Sequence, residues 1–591
     1  MAAVTRTSPA AASAGPPTAE RIGRIALLLV PVLVIVVMGW ARRWVFEDAF
    51  LNFRIVDQIR AGNGPVFNLG QRVETATSTL WLGILVVLRT ALPFVKIERS
   101  AVFVGLLGTA IGVWWAQIGA ARLWRRTAVG TSVMVPFGML VYVALPVSWD
   151  WATSGLENGL TIAWLGSLML VLGTLADADA DTAPAVDASS RVVPSVGRLV
   201  GIGVLVGLGP LIRPDLALVS VIVLCAAAWI VRPRGRNLVA FLGGFLALPV
   251  LSEVFRIGYY GALVPNTALA KDASGSYWSQ GWTYLVDLVM PYWLFIPVVI
   301  IVVTVAALVS LGDRAPVMVA AIALPVGGAI HAIYMVKSGG DYLHGRLLLP
   351  SLFAVLAPIA ALPWRRWLLV PIGLVGLWAV IAAGWLRPQI HESFVPITRY
   401  DVADGRLIME AITKAGHRPL LATDFAPRDG LIARRLQQDH QRDLVTIWAP
   451  KPIRDVTSVR TALISTTAGI SGYVAGPDVF VQEANALGDP VGSRMPPLRP
   501  SAPGHRKRES PAWMVALTTR PGVTAGAPPK EVAAARRALG CGDLARLLTA
   551  VEAPLTPGRF VQNALGSIGR TRLVVPRDPF DAERRFCGPS S

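Results

Sequence analysis

The residues of this 591-residue chain that could do chemistry are acids and cations grouped in six short polar segments. The first segment, FEDAFLNFRIVDQIRAGNG, begins with Glu47 and Asp48, and its apolar residues recur at helical spacing. Asp48 and Asn52 are four residues apart, so they share one face of the predicted helix. A carboxylate held there can act as a general base, or it can only solvate the polar side of a helix at a membrane surface.

Four further segments hold charged or amide side chains beside long apolar runs. The structural interpretation of each is a polar turn, a set of interfacial anchors or an ion pair that caps two helices. The alternative is a binding site, because ionisable groups next to hydrocarbon are costly and are often functional. The segments are GQRVETATSTLWL with Arg72 and Glu74, SWDWATSGLENGL with Glu157, IRPDLAL with Arg213 and Asp215, and GALVPNTALAKD with Asn266 and Lys271.

The sixth segment, KSGGDYLHGRLLLP, places Asp341, His344 and Arg346 at the entrance to an apolar run. The preceding Gly339 and Gly340 allow close approach of the backbone to a ligand. An arginine and a histidine that donates hydrogen bonds suit a phosphate group, since charge-assisted hydrogen bonds are strong in a partly dry site. Snorkelling of a basic anchor would explain Arg346 but gives no role to Asp341.

The composition indicates what kind of protein positions these groups. Hydrophobic residues make up 53% of the chain and charged residues 16%, and the mean hydropathy is +0.54. These values exclude disordered, collagen-like and coiled-coil chains and are too apolar for a water-soluble globule. Runs of roughly 20 apolar residues predict an α-helical polytopic membrane protein with about eleven transmembrane helices plus interfacial helices. The predicted spans are one that ends near Trp40 and then 100–121, 128–147, 158–176, 199–212, 215–231, 237–257, 292–311, 315–336, 345–363 and 367–386.

The distribution of arginine predicts the orientation of these spans. We expect the apolar run 79–95 to be re-entrant or interfacial, because counting it as a span would place the arginine-rich loops outside, against the positive-inside rule. The N-terminus is then cytoplasmic, and all six polar segments lie on the external side. The net charge of +18 fits loops that face anionic lipid and does not favour nucleic acid as a partner. The arginine-rich loops contain Arg122/Arg125/Arg126, Arg232/Arg234/Arg236, Arg314 and Arg365/Arg366.

Hydropathy divides the chain into three parts. Residues 1–20 are predicted to be a disordered cytoplasmic N-terminus, and residues 21–387 a transmembrane domain whose acidic loop 177–197 is also disordered. Residues 388–591 contain short strand-like and helical stretches, which predict a C-terminal α/β domain in the periplasm. In that oxidising compartment Cys541 and Cys587 are expected to form a disulfide, whereas Cys225 lies alone in a span. The basic, proline-rich stretch 496–511 is predicted to be an exposed loop.

The chemistry that fits these groups is transfer of a sugar from a lipid-linked phosphate. The chain has no phosphate-binding P-loop, zinc-ligand spacing or nucleophile elbow. A lipid-linked donor already carries its leaving group, so the protein needs only a carboxylate near the sugar and cations for the departing phosphate.

The order of EDAFLNFRIV, RVETATSTLWL, SGLEN, RPD, PNTALAK and GGDYLHGRLLLP resembles the GT-C class of polyprenyl-phosphate-sugar glycosyltransferases. Within that class it most resembles the mycobacterial terminal β-(1→2)-arabinofuranosyltransferases, and GYVAGPDVF and ALGDPVGSR resemble their C-terminal periplasmic domain. The resemblance implies a GT-C-like fold in the cytoplasmic membrane. It also implies decaprenyl-phosphoryl-arabinose as donor and, as acceptor, the cell-wall arabinan of arabinogalactan and lipoarabinomannan.

The resemblance places the catalytic acid on Asp48, with Glu47 beside it where relatives often carry a second aspartate, so either acid could face the sugar. No metal ligand is assigned, and a divalent cation stays open because only some GT-C relatives use one. We expect the donor phosphate at His344, Arg346, Arg213 and Lys271, and the sugar or acceptor at Asn52, Arg72, Glu74, Glu157, Asn266 and Asp341.

The family's donor is a β-arabinofuranoside and its product linkage is β, so the reaction is formally retaining. Retention requires a carboxylate nucleophile or front-face attack assisted by the leaving phosphate. Two other functions are compatible with the same features: transfer of another polyprenyl-phosphate sugar such as mannose, and transport of a lipid-linked glycan. The acids on one face, the lack of an obvious inverted repeat and the large external domain favour an enzyme.

Overall fold

The computed structural model describes residues 18–125, 133–181, 194–309, 315–386, 402–413, 418–425, 427–458, 460–499 and 501–588. Most of the predicted disordered N-terminus and of the loop 177–197 lie outside these residues, and so does the predicted boundary at 388. Up to residue 386 the elements are α1 (Thr18–Ala41), α2 (Glu47–Arg60), α3 (Thr79–Ala91), α4 (Ile97–Leu123), β1 (Met134–Pro136), α5 (Gly138–Ala144), α6 (Pro146–Trp151), α7 (Asn158–Asp181), α8 (Val196–Gly207), α9 (Gly209–Ile212), α10 (Ala217–Val231), α11 (Arg236–Tyr259), α12 (Asn266–Ala270), α13 (Trp278–Val289), α14 (Phe295–Val309), α15 (Ala315–Lys337), α16 (Leu349–Leu356), β2 (Ala361–Pro363) and α17 (Leu369–Gly384).

The helices identify a polytopic membrane protein, as predicted. Within the described part of the chain, six helices are long and apolar enough to cross a bilayer, and five apolar helices are shorter. The six are Ile97–Leu123, Asn158–Ala178, Pro214–Val231, Arg236–Tyr259, Ala315–Lys337 and Arg366–Gly384, and the shorter ones are Ala26–Ala41, Thr79–Ala91, Val196–Ile212, Phe295–Ala307 and Leu349–Ile359.

Glycines bring α4 and α7 into close contact. Gly105, Gly112 and Gly119 of α4 face glycines of α7 at the same seven-residue spacing, and a Cβ on the α7 residues would overlap a carbonyl oxygen of α4. Apolar surface gives little drive for helix association in lipid, so the close backbone packing that small residues permit has to supply it. The facing residues of α7 are Gly159, Gly166 and Gly173.

Two predicted spans differ from the structure. The prediction of one helix over 128–147 is wrong: residues 134–136 form β1, which pairs antiparallel with β2, and two short helices follow. Pro146 interrupts them because a proline has no N–H to continue a helix. Of the predicted span 345–363, only Leu349–Leu356 and a following 3-10 turn are helical, and its end is β2. Helix α3 has 13 residues, short of the roughly 20 needed to cross a bilayer, which agrees with the expected interfacial helix.

The C-terminal region, residues 402–588, has an α/β part followed by a helical part. Its elements are α18 (Gly405–Ile412), α19 (Ala422–Phe425), α20 (Arg428–Gln438), β3 (Leu444–Thr446), β4 (Ala462–Ser465), α21 (Ala468–Ala475), β5 (Phe480–Glu483), α22 (Pro511–Thr518), α23 (Pro529–Leu539), α24 (Gly542–Glu552), α25 (Pro557–Arg572) and α26 (Pro579–Cys587). The strands form a parallel sheet in the order β3-β4-β5, and α21 connects β4 to β5. The predicted disulfide between Cys541 and Cys587 is confirmed, with the two Cα atoms 5.0 Å apart.

Side chains of α2 and of the segment after it hold the C-terminal region against the helical bundle. Arg54, 1% exposed, donates hydrogen bonds to the carbonyl oxygens of Gly472, Gly476 and Val479. Asn68 donates to Val481 O and accepts from Val481 N, at 2.9 Å in both cases. Helix α2 is therefore packed between the two parts of the molecule.

Loss of the disulfide should destabilise the last helices. The bond closes a loop with a sequence separation of 46 residues, and cross-links of this kind stabilise a fold by about 2 to 5 kcal/mol by constraining the unfolded chain. A Cys541→Ser/Cys587→Ser double variant should unfold at lower temperature, with α26 becoming protease-sensitive first. Cys225→Ser, in α10, is the control and should change neither the unfolding temperature nor the protease sensitivity of α26. Two free thiols at 541 and 587 in non-reducing mass spectrometry of the wild type would contradict the assignment.

Candidate functional site

A cleft lies between α2, α12, the C-terminal end of α15 and the C-terminal region. It holds about 1200 Å³ of space, part of it open to solvent. Most of the predicted site residues line it, although they come from distant parts of the sequence. The lining includes Asp48, Asn52, Glu157, Arg213, Lys271, Asp341 and Arg346, with Thr75, Thr77, Tyr334, Leu487 and Arg506.

The centre of the cleft is a guanidinium shared by two carboxylates. Arg346 Nη1 lies 3.3 Å from Asp48 Oδ2 and 3.6 Å from Asp341 Oδ2. Burial alone would raise the pKa of Asp48, but the positive charges of Lys271 and Arg346 and the hydrogen bond from Arg346 outweigh it and lower that pKa below its ordinary value. Asp48 is therefore ionised at neutral pH.

Arg346 keeps hydrogen-bonding capacity for a ligand. Its Nε is buried and has no hydrogen-bond partner among the residues described. An unsatisfied buried donor on a cation is costly, so an anionic group entering the cleft has a ready partner. The chain turns sharply just before it: Gly339 and Gly340 have φ values of +92° and +68°, where a side chain would be strained.

A series of ion pairs and hydrogen bonds extends from the wall of the cleft into the helical bundle. Arg213 Nη1 lies 2.9 Å from Glu157 Oε1, and Arg213 Nη2 lies 3.1 Å from Asp215 Oδ1. Asp215 Oδ2 also contacts His331 Nε2 at 2.7 Å, and His331 Nδ1 contacts the hydroxyl of Ser351 at 2.7 Å. The two carboxylates fix the position of the Arg213 guanidinium at the edge of the cleft.

Glu47 does not line the cleft with Asp48. Its Oε1 accepts hydrogen bonds from the backbone N–H groups of Gly469, at 2.6 Å, and Ile470, at the start of α21. Burial and the nearby charge of Asp48 raise the pKa of Glu47 to about 8, although these two hydrogen bonds oppose the shift. The adjacent acids thus have opposite pKa shifts, and Glu47 holds α21 in place.

Four other predicted site residues lie outside the cleft. Arg72 donates to the carbonyl oxygens of Tyr259 and Ala550, and Glu74 accepts from Arg256 at 2.6 Å. These partners occupy the two side chains with contacts between elements. The other two are Asn266, whose amide donates to the carbonyl oxygens of Ala486, Leu487 and Asp489, and His344, whose ring contacts Asp287 and Tyr292 at 2.6 and 3.0 Å.

Sequence reasoning missed the contribution of the stretch 496–511. The prediction of an exposed loop is wrong here: Arg506 is 2% exposed and lines the cleft. It donates to Gln280 Oε1 at 2.6 Å and to the carbonyl oxygen of Ser338. Its guanidinium lies 3.6 Å from the centre of the Tyr277 ring. The prolines and charges of this stretch are typical of a solvated loop. Arg506 is buried by its partners in the helical bundle, and these partners are distant in the sequence.

The cleft has no preformed cation site. In the part of the chain that the structure describes, no three His, Cys, Asp or Glu side chains are grouped so that they could hold a metal ion. Asp48 and Asp341 both face Arg346, whose charge opposes a cation between them.

The raised pKa of Glu47 gives a measurable pH dependence of stability. The unfolded chain loses this proton near pH 4.5, whereas the folded chain keeps it to about pH 8. The free energy of unfolding should therefore fall as the pH rises from 4.5 to about 8 and then level off. Glu47→Gln should flatten this fall in thermal unfolding curves between pH 5 and 9. Glu531→Gln, in α23, is the control and should follow the wild type; an unchanged slope in Glu47→Gln would contradict the protonated state.

Comparison with known proteins agrees with this architecture. Residues 414–584 match the model of the AftB family C-terminal domain. A terminal beta-(1->2)-arabinofuranosyltransferase of Mycobacterium tuberculosis is 32% identical, covering 94% of this chain and 96% of its own. An enzyme of the same name from Corynebacterium glutamicum is 30% identical, covering 93% and 85%. No solved structure gives a significant match. Similarity along nearly the whole length shows that the chain belongs to the AftB family of terminal β-(1→2)-arabinofuranosyltransferases.

Proposed function

We propose that this chain transfers arabinofuranose from decaprenyl-phosphoryl-arabinose to the ends of cell-wall arabinan, forming β-(1→2) linkages. The observation that carries the proposal is the grouping of the ionised Asp48 with Arg346 and Lys271 in one cleft at the edge of an apolar bundle. A carboxylate can stabilise positive charge on the sugar, while cations stabilise the departing phosphate. The family relationship supplies the sugar and the linkage, and the chemistry of the cleft favours a phosphate-linked donor.

The orientation of the protein is part of the proposal. We place the cleft and the C-terminal region on the periplasmic side of the cytoplasmic membrane, with a cytoplasmic N-terminus. Two observations support this arrangement. The C-terminal region packs on the cleft, and the arginines of the α10–α11 turn lie at the other end of α11 from Gly258, whose carbonyl oxygen accepts a hydrogen bond from Asn563 of that region. Arginine-rich turns are retained on the cytoplasmic side.

The donor phosphate is proposed to bind at Arg346, Arg213 and Lys271. All three line the cleft, and the free Nε–H of Arg346 provides a donor that no described residue uses. Ion pairs with Glu157 and Asp215 already restrain the Arg213 side chain, so little side-chain freedom is lost when the phosphate binds. His344, the fourth predicted phosphate ligand, is left out of the proposed site because its ring contacts Asp287 and Tyr292 instead.

Asp48 is proposed to act on the anomeric carbon. The C1–O bond to the phosphate breaks, the electron pair leaves with the phosphate, and the acceptor hydroxyl forms the new bond to C1 while its proton goes to the phosphate. A pKa held below the ordinary range keeps Asp48 negative throughout, which suits a nucleophile or a group that stabilises an oxocarbenium ion. Asp341 and Asn52 line the same cleft and are proposed to contact the sugar hydroxyls.

Replacing Asp48 should nearly abolish transfer. Asp48→Asn keeps the size but removes the charge, and loss of a positioned acid or base typically costs 10² to 10⁴-fold in rate. Transfer is measured with purified protein, synthetic prenyl-phosphoryl-arabinose and a short arabinan acceptor. Asp57→Asn, in the same helix, is the matched control and should retain transfer to this acceptor. Activity of Asp48→Asn within a few-fold of the wild type would contradict the role, and transfer only from a mannosyl donor would contradict the proposed function.

Arg346 should affect the donor more than the acceptor. Arg346→Ala should lower donor affinity and turnover together, and Arg346→Lys should recover only part because a point charge replaces a planar fork. Donor affinity is measured with a non-transferable prenyl-phosphate analogue. Arg72→Ala, whose side chain lies outside the cleft, is the control and should bind the analogue normally. Normal analogue binding but weak acceptor binding in Arg346→Ala would place the phosphate elsewhere.

A further inference from the structure

A second groove lies behind α2, away from the cleft. It holds about 1310 Å³ of space, part of it open to solvent, and is lined by residues of α2, α19, α20 and α21. An adjoining pocket at the α3–α4 turn shares Ala422, Thr423 and Tyr473 with it. Asp57 of α2 lines the groove, and because Asp57 and Asp48 are nine residues apart, they point to opposite sides of the helix about 14 Å apart along its axis.

Several polar groups lie where the two pockets meet. The Asp57 carboxylate has no ion pair or hydrogen bond within the described ranges, and the Tyr473 hydroxyl has none there either. The Nε of Arg89 is buried without a partner, and Glu98, 4% exposed, accepts one 3.3 Å hydrogen bond from Ala422 N. All four residues line one or both of the two adjoining pockets. Asp57 and Tyr473 are half-buried, so their polar atoms remain accessible to a polar ligand in the groove.

The aromatic ring at this junction is rigid. Tyr473 packs against Phe50 at 5.5 Å and Phe53 at 6.0 Å between ring centres, and both phenylalanines belong to α2. Burial raises the pKa of the Tyr473 hydroxyl, so it remains a hydrogen-bond donor at any pH where the protein is stable. A fixed ring with a polar tip gives contact area at low entropic cost.

The charges here balance. The linings of the two pockets carry three acids and three bases, namely Asp57, Asp478 and Glu98, and Arg89, Lys96 and Arg434. An anion would be repelled by the carboxylates and a cation by the guanidinium groups, whereas a neutral polyol can donate to the former and accept from the latter. Vicinal hydroxyls on a sugar ring fit this pattern.

We propose that this groove binds an internal segment of the acceptor arabinan, several sugar units from the end that receives the new residue. The inference rests on the proposed function, since it takes the acceptor from it. Phe94, 82% exposed, and Lys96 of the α3–α4 turn line the adjoining pocket, so the groove opens beside the bundle. Binding at a distance from the reacting end selects long chains over short ones.

The test compares acceptors of two lengths. Tyr473→Phe and Asp57→Asn should each raise KM for a long oligoarabinan about tenfold, the usual effect of losing a hydrogen bond to a ligand. For an arabinose disaccharide, KM and kcat should stay within twofold of the wild type. Glu531→Gln, outside the groove, is the control and should change neither. Unchanged KM for the long acceptor in both variants would overturn the proposal, and so would an equal rise for both acceptors, which would indicate a structural defect.

A binding measurement separates this inference from the proposed function. Calorimetric titration of the long oligoarabinan into Asp48→Asn protein, which should not turn over, reports binding without transfer. Weaker binding in the Asp48→Asn/Tyr473→Phe double variant supports the groove, even if the wild type proves to use a different donor. Equal binding by the single and double variants overturns the groove while leaving the cleft chemistry intact. The same titration is done with the protein in nanodiscs of different phospholipid composition. A groove that binds phospholipid headgroups but not the oligoarabinan would be a lipid site, and this result would overturn the proposal.

Discussion

The buried guanidinium of Arg54 is the interaction on which the arrangement of the cleft depends. It is 1% exposed and donates to backbone carbonyl oxygens of the segments before β5 and after α2. A buried cation is tolerated only when its N–H groups are satisfied, so these segments must adopt the positions that satisfy them. Only a planar group with five donors can reach so many carbonyls at once. Helix α2, and Asp48 with it, is thereby fixed relative to both parts of the chain.

The same helix shows how environment divides two adjacent acids. Glu47 faces backbone N–H groups in a site that burial dominates, and its pKa rises. Asp48 faces Arg346 and Lys271, and its pKa falls. Two neighbouring carboxylates would repel each other if both were ionised, and the neutral form of Glu47 removes that repulsion. The pair therefore leaves one negative charge, on the side where the cations are.

Helical spacing placed Asp48 and Asn52 on one face, and the resemblance to the GT-C class joined them with Arg346 in one predicted site. The sequence could not distinguish them from Glu74 and Asn266, which occur in similar segments, because the partners of those residues lie far away in the chain. Arg256 is 182 residues from Glu74, and Ala486 is 220 residues from Asn266. Hydropathy located the long apolar helices. The span 128–147 carries enough apolar residues for one helix, but residues 134–136 pair with β2 as a strand and Pro146 separates α5 from α6, and average hydropathy reveals neither feature.

The position of Arg506 explains why the cleft belongs to the whole chain and not to the bundle alone. Leu487, Gly504 and Arg506 of the C-terminal region line it opposite Asp48 and Arg346. Arg506 is anchored by Gln280 and by the carbonyl oxygen of Ser338, just before the glycine pair that leads to Asp341. A bundle without this region would expose the Asp48–Arg346 pair to water, where such a pair contributes little and is screened by salt. Covering the pair lowers the local dielectric and strengthens every charge that acts on a ligand. The C-terminal region therefore sets the electrostatics of a site whose acids and most of whose cations come from the bundle.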